Sequence, residues 1–152
     1  DTRFSHDKTP YKTHISAVVS KYGTKNKAYP GHYLHLDAET CMIGGGAYFL
    51  DKEPLSRVRS AIANDHSHFL CIIQDPSFIQ HFGGLHASET NKVLPAEFKE
   101  FFKTEPLIAN KQFFVMKSYP ASIAIQPDFL DVLLAHAKAL GPLNSFLQPC
   151  MV

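Results

Sequence analysis

The chain has 152 residues, 45% of them hydrophobic and 19% charged, with a net charge of +1. That length and balance suit one domain, residues 1–152, with a buried core, and they exclude a disordered chain or a pair of domains. The small charge, with no basic run interleaved with aromatics, excludes nucleic acid as a partner. No apolar run approaches the roughly 18 residues of a membrane span, so no membrane is expected.

The opening Asp1-Thr2-Arg3-Phe4-Ser5-His6 is polar and does not resemble a signal peptide. A first residue other than Met predicts a cleavage or truncation just upstream. Cys41, Cys71 and Cys150 are odd in number and form no C-x-x-C pair. They predict reduced thiols in a cytoplasmic protein, not a disulfide framework or a zinc site. Charge is uneven along the chain. Arg3, Lys8, Lys12, Lys21, Lys25 and Lys27 outweigh Asp1 and Asp7 in the first 30 residues, and the remainder is net acidic. That asymmetry suits an anionic ligand near the N-terminal segment, and a solvated loop explains Lys21 to Lys27 equally well.

In chain order, Lys12 to Ser20 is β-rich and predicts a strand. Gly23, Asn26, Pro30 and Gly31 predict a loop over residues 21–31. Tyr33-Leu34-His35-Leu36-Asp37 alternates, with Leu34 and Leu36 on one face and Tyr33, His35 and Asp37 on the other. The short link Ala38-Glu39-Thr40 suits a hairpin into a second strand-like run, Cys41 to Leu50, which Gly44-Gly45-Gly46 interrupts.

From Asp51 the period becomes helical, with Leu55, Val58 and Ile62 on one face and Pro54 tolerable in the first turn. A further helix is predicted over His66–Ile73. Asp75-Pro76 starts another and Gly83-Gly84 ends it. Residues 85–95 read as loop, Ala96 to Lys103 as a short helix, and Phe113 to Tyr119 as a buried strand. After Pro127, Phe129, Leu130, Leu133, Leu134, Ala137 and Leu140 trace an amphipathic helix that Gly141-Pro142 should end. Strands gathered early and helices gathered late predict an α+β fold, a mainly antiparallel sheet with helices packed against it.

The nine histidines raise the question of a metal. On a strand, the odd separation of His32 and His35 sends them to opposite faces, and His66 and His68 do not face each other on a helix. No H-E-x-x-H pattern is present, so no metal or other cofactor is expected. His14 and His35 are the pair that neighbouring strands could bring together. Cys41 with His35 would make a nucleophile and base, but nothing around Cys41 resembles a nucleophile loop, which favours an inert thiol. The triple glycine is neither a P-loop nor a dinucleotide-binding turn. Glycine there implies close approach to the backbone, either by packing or by a ligand against a glycine wall. Arg3, Lys8 and Tyr11 could converge on a carboxylate or phosphate, or simply pair with Asp1, Asp7 or another acid to hold the segment down.

Asp1-x-Arg3-Phe4-x-x-x-Lys8-x-x-Tyr11 resembles the signature of the bacterial and fungal "domain of unknown function" family numbered 2461, whose motif reads R-x-x-R-D-x-R-F with K and Y after short gaps. The resemblance continues through Tyr33-Leu34-His35-Leu36, Gly44-Gly45-Gly46-Ala47-Tyr48 and Leu55 to Ile62 with Arg59. It returns at Asp75-Pro76-Ser77-Phe78, Phe82-Gly83 and Pro142-Leu143. The motif's leading arginines and the family's helical N-terminal region are missing. The resemblance therefore implies the C-terminal portion of a longer protein, in which an uncovered apolar surface would favour self-association. Leu94-Pro95-Ala96-Glu97-Phe98 stands where the family has a Pro-x-Gly-aromatic turn. The family implies no known activity.

The residues themselves suggest a cytoplasmic protein that binds a small anionic ligand. Its polar pocket would be built from Arg3, Lys8, Tyr11, His14, His35 and the wall Gly44, Gly45 and Gly46, with His14 or His35 as acid or base if a reaction occurs. The alternative is a structural or protein-interaction module with no catalytic activity. A metal hydrolase is a weaker third reading.

Overall fold

A computed structural model describes residues 13–26 and 28–152. Among them, four strands form one antiparallel sheet in chain order: β1 (His14–Val19), β2 (Gly31–Asp37), β3 (Thr40–Ala47) and β4 (Phe113–Pro120). The fold is α+β. The β2–β3 hairpin is closed by Asp37, whose Oδ1 accepts the backbone N–H groups of Glu39 at 2.9 Å and Thr40 at 2.7 Å. A short carboxylate folding back on its own turn is what favours Asp at such a corner.

Two strand limits differ from the sequence expectation. β2 begins at Gly31 rather than Tyr33, because Gly31 and His32 pair with Gly46 and Gly45 across the hairpin. β3 stops at Ala47 rather than Leu50, and Phe49 adopts a φ of +55°, a left-handed conformation that cannot continue a ladder.

The register sorts every strand residue onto one of two faces. Leu36 lies opposite both Ile15 and Cys41, and Cys41 lies opposite Tyr119. These residues share one face with Leu34, Ile43, Gly45, Ala47, Phe113 and Val115. The other face carries His14, Ser16, Val18, Tyr33, His35, Asp37, Met42, Phe114 and Met116.

Among the described residues, the helices cover the first face. They are α1 (Lys52–Asn64), α2 (His66–Ile73), α3 (Pro76–Phe82), α4 (Ala96–Lys99) and α5 (Phe129–Leu147). The core between helices and sheet is built from Val58, Ile62, Phe69, Phe78, Phe113, Leu140, Leu143 and Leu147, all buried. Helix α3 follows its sequence signals closely. The Asp75 carboxylate accepts from the N–H groups of Ser77 and Phe78, and Gly83 closes the helix at a φ of +75°.

Helix α5 does not end at Gly141-Pro142. It runs on to Leu147 with Pro142 inside it. An interior proline costs about 3 kcal/mol. Burial of Leu140, Leu143 and Leu147 against the sheet and α1–α3 side returns about 1.5–3 kcal/mol for each side chain, and Pro142 itself faces solvent. The short helix expected over residues 96–103 is broken into α4 and a 3-10 turn, Phe101–Lys103.

The triple glycine has a packing explanation. A Cβ on Gly45 would lie 2.7 Å from Leu140 Cδ2 and 2.0 Å from the Gly31 carbonyl oxygen, and Gly45 has a φ of +153°. A Cβ on Gly44 or Gly46 would strike the β4 backbone at Val115 or Phe113. We expect Gly45→Ala to destabilise the protein by about 2–4 kcal/mol through overpacking and strain. The urea midpoint of the variant measures it.

Candidate functional site

The face of the sheet opposite the described helices holds a cavity of about 570 Å³. Its floor is the sheet itself, through Ser16, Val18, Tyr33, Met42, Phe114 and Met116. Its rim is the loop at Gly23, Thr24, Asn26 and Tyr29 on one side and Tyr48 and Phe49 on the other. The alternation of each strand produces this arrangement: the apolar positions turned toward the helices leave the intervening residues to line the opposite face. Aromatic rings and two thioethers dominate the lining, a surface that adapts to an apolar guest.

A polar chain runs beside it along β2, where residues two apart share a face. His35 Nε2 lies 3.2 Å from Asp37 Oδ2, and the Tyr33 hydroxyl lies 3.5 Å from His35 Nδ1. From β1, His14 stacks on His35 with ring centroids 4.8 Å apart and planes inclined by 22°. The His35 side chain is 14% exposed and that of Asp37 34%. The N–H groups of Glu39 and Thr40, followed by His35, hold the Asp37 carboxyl below its ordinary value. It is thus a fixed anion at neutral pH, and a carboxylate only accepts. The neutral His35 ring must then carry its proton on Nε2, leaving Nδ1 to accept from Tyr33.

The expected neighbours His14 and His35 therefore do meet. Gly46 lines the cavity, whereas Gly44 borders a smaller groove of about 230 Å³ on the helix side. Gly45 is taken up by Leu140. Arg3, Lys8 and Tyr11 lie outside the described residues. Cys41 and His35 cannot act together. Cys41 is fully buried on the helix-facing side, burial pushes its thiol up, and His35 is on the other face. All three cysteines are free. Among the described residues, no three His, Cys, Asp or Glu side chains are grouped to hold an ion. Tyr33 and Asp37 were not singled out beforehand, although their alternation with His35 already put the three on one face. Ser16, Met42, Phe114 and Met116 carried no local signal, because only strand pairing gathers them.

Two buried polar groups elsewhere serve the fold. Arg59 donates through Nε to the Ile108 carbonyl at 2.7 Å and through Nη2 to Asn91 Oδ1 at 2.8 Å, tying the segment after α3 to α1. His136 on α5 donates from Nδ1 to the Val132 carbonyl at 2.7 Å and accepts the Tyr119 hydroxyl on Nε2 at 2.8 Å.

A four-stranded antiparallel sheet, helical on one side and hollowed on the other, defines an α+β protein with an open-faced cavity. A family model described as "Conserved hypothetical protein (DUF2461)" matches residues 1–146, and the chain belongs to that family. No curated protein and no solved structure matches it. No helix among the described residues is long and apolar enough to cross a membrane.

Burial, above all, lowers the pKa of His136 from its ordinary 6.5, and burial does the same for His32. Both rings are kept neutral in the fold, while the unfolded chain binds protons below about pH 6.5. Stability is therefore full above that value and falls as the pH drops through it toward the lowered folded values. We expect the urea midpoint of the wild type to fall between about pH 7.5 and pH 5.5, and that of His136→Gln to fall less.

Proposed function

We propose that the protein binds a small anionic ligand in the open-face cavity. The observation that carries this reading is the stacked pair His14 and His35 beside an apolar hollow of about 570 Å³. A bound anion favours the protonated form of an imidazole, so a stacked pair beside the hollow offers a place for negative charge. The rings and thioethers of Tyr48, Phe114, Met42 and Met116 suit an apolar body on the same ligand. On this reading Arg3 and Lys8 add charge, Tyr11 orients the ligand, and the protein works in the cytoplasm.

A thermal-shift screen against small carboxylates and phosphate esters tests it. At least one class should raise the melting temperature. Arg3→Ala and His35→Ala should each weaken that ligand by about tenfold or more, the scale of one lost charged hydrogen bond. No shift with any compound, or shifts that survive both substitutions, would sink the proposal.

A second reading, an interaction module without catalytic activity, draws on a different surface. Ile15 and Val19 of β1, an edge strand among the described residues, are 74% and 68% exposed, and Leu130 and Leu134 of α5 are 65% and 58% exposed, with Val19 and Leu134 lining the smaller groove. Uncharged edge strands with apolar faces favour pairing with another chain. On that reading the protein self-associates through β1. Sedimentation should then show dimers that Val19→Lys converts to monomers; monomers at every concentration would remove it.

A further inference from the structure

Asp37, His35 and Tyr33 differ from an ordinary surface hydrogen-bond chain in their order and in where the chain ends. The carboxylate is fixed by two backbone N–H groups at 2.9 and 2.7 Å, and its second oxygen takes the proton-bearing Nε2 of His35 at 3.2 Å. The ring is covered on one side by His14 at 4.8 Å. Its remaining nitrogen, Nδ1, faces the Tyr33 hydroxyl at 3.5 Å, and Tyr33 is a wall of the cavity. The sequence is anion, oriented imidazole, phenol, guest site. An imidazole held by a carboxylate with its free nitrogen toward a hydroxyl is the arrangement that activates that hydroxyl. A contact of 3.5 Å is long for a proton transfer, and such contacts commonly tighten only when a substrate is in place.

We infer that Tyr33, His35 and Asp37 form a proton relay, with Tyr33 as the group that exchanges a proton with an oxygen of a bound guest. The guest class is a small molecule with an apolar or aromatic body and a hydroxyl or carbonyl oxygen at the β2 end of the cavity. With a guest hydroxyl, the phenol proton passes to His35 Nδ1 while the phenol oxygen takes the guest's proton. The guest is left as an alkoxide or phenoxide, Tyr33 is again neutral, and the imidazolium is balanced by Asp37. With a guest carbonyl and His35 protonated on both nitrogens at the start, Tyr33 gives its proton to the oxygen and takes the Nδ1 proton of His35, which leaves a protonated carbonyl, a neutral phenol and a neutral imidazole. Among the described residues, the charged and titratable groups facing the relay are His14 from β1 and Asp37 from β2 itself, while β3 presents the uncharged Met42 opposite His35. The inference rests on this cavity being the functional site, as proposed above, but not on the charge of the guest.

Two measurements on the intact chain test it. In protein carrying ring-carbon-13 tyrosine, with Tyr33 identified by Tyr33→Phe, His35→Gln should shift the Tyr33 signal and leave that of Tyr48 in place. Labelling with an arylsulfonyl fluoride forms the tyrosyl sulfonate, breaks the S–F bond and releases fluoride, while the phenol proton goes to His35. Tyr33 should react at least about tenfold faster than Tyr48 on the same cavity, and His35→Gln and Asp37→Asn should each remove that advantage. Asn keeps the turn, because its side-chain oxygen accepts the same two N–H groups. A Tyr33 signal unmoved by His35→Gln, or equal labelling of Tyr33 and Tyr48 in the wild type, overturns the relay whatever the anion screen finds. A responsive Tyr33 with an empty anion screen supports the relay and removes only the anionic ligand class.

Discussion

The structure depends on how closely α5 can lie on β3. Leu140 reaches the sheet at Gly45, where any side chain would collide with it, and one helical turn on Asn144 donates to the Gly31 carbonyl at 3.2 Å. Removing three successive side chains from a central strand forfeits packing and adds backbone entropy to the unfolded chain. Close contact along a long buried helix returns that loss. The seat is tight enough to leave Asn144 Oδ1 buried without a hydrogen-bond partner among the described residues. It is also firm enough to carry α5 through Pro142.

Pinning that helix fixes which face of the sheet is core, and so which face is available for chemistry. Once Leu34, Leu36, Ile43 and Val115 are committed to the helix side, strand geometry turns Tyr33, His35, Asp37 and Met116 outward together. The cavity lies on the face opposite the one the described helices cover.

Each face carries a tyrosine–histidine pair, and the comparison separates structure from chemistry. On the helix side, His136 is anchored by a backbone carbonyl within its own helix, accepts from Tyr119 and is 3% exposed. Burial keeps that ring neutral, and its contacts hold α5 to β4. On the open side the anchor of His35 is a carboxylate and its phenol borders open space. The bonding chemistry is nearly the same. Access and the charge of the anchor distinguish a strut from a relay.

Local sequence determined a good deal. The alternation of residues 33–37 assigned faces correctly, Asp75-Pro76 and Gly83 bounded α3, and the helical spacing of Leu55, Val58 and Ile62 placed α1. Each of these signals acts over a few residues through backbone conformation or a single turn. Only tertiary structure decided that a proline would be carried inside α5, that Gly45 makes room for Leu140, and that Arg59 is buried to hold carbonyls 49 or more residues away. It also decided the cavity, whose floor draws on β1, β2, β3 and β4 at once. The dividing line is the range of the interaction. Conformational preference is written in neighbouring residues, whereas burial and steric contact depend on what the rest of the chain brings close, and no local spacing encodes that.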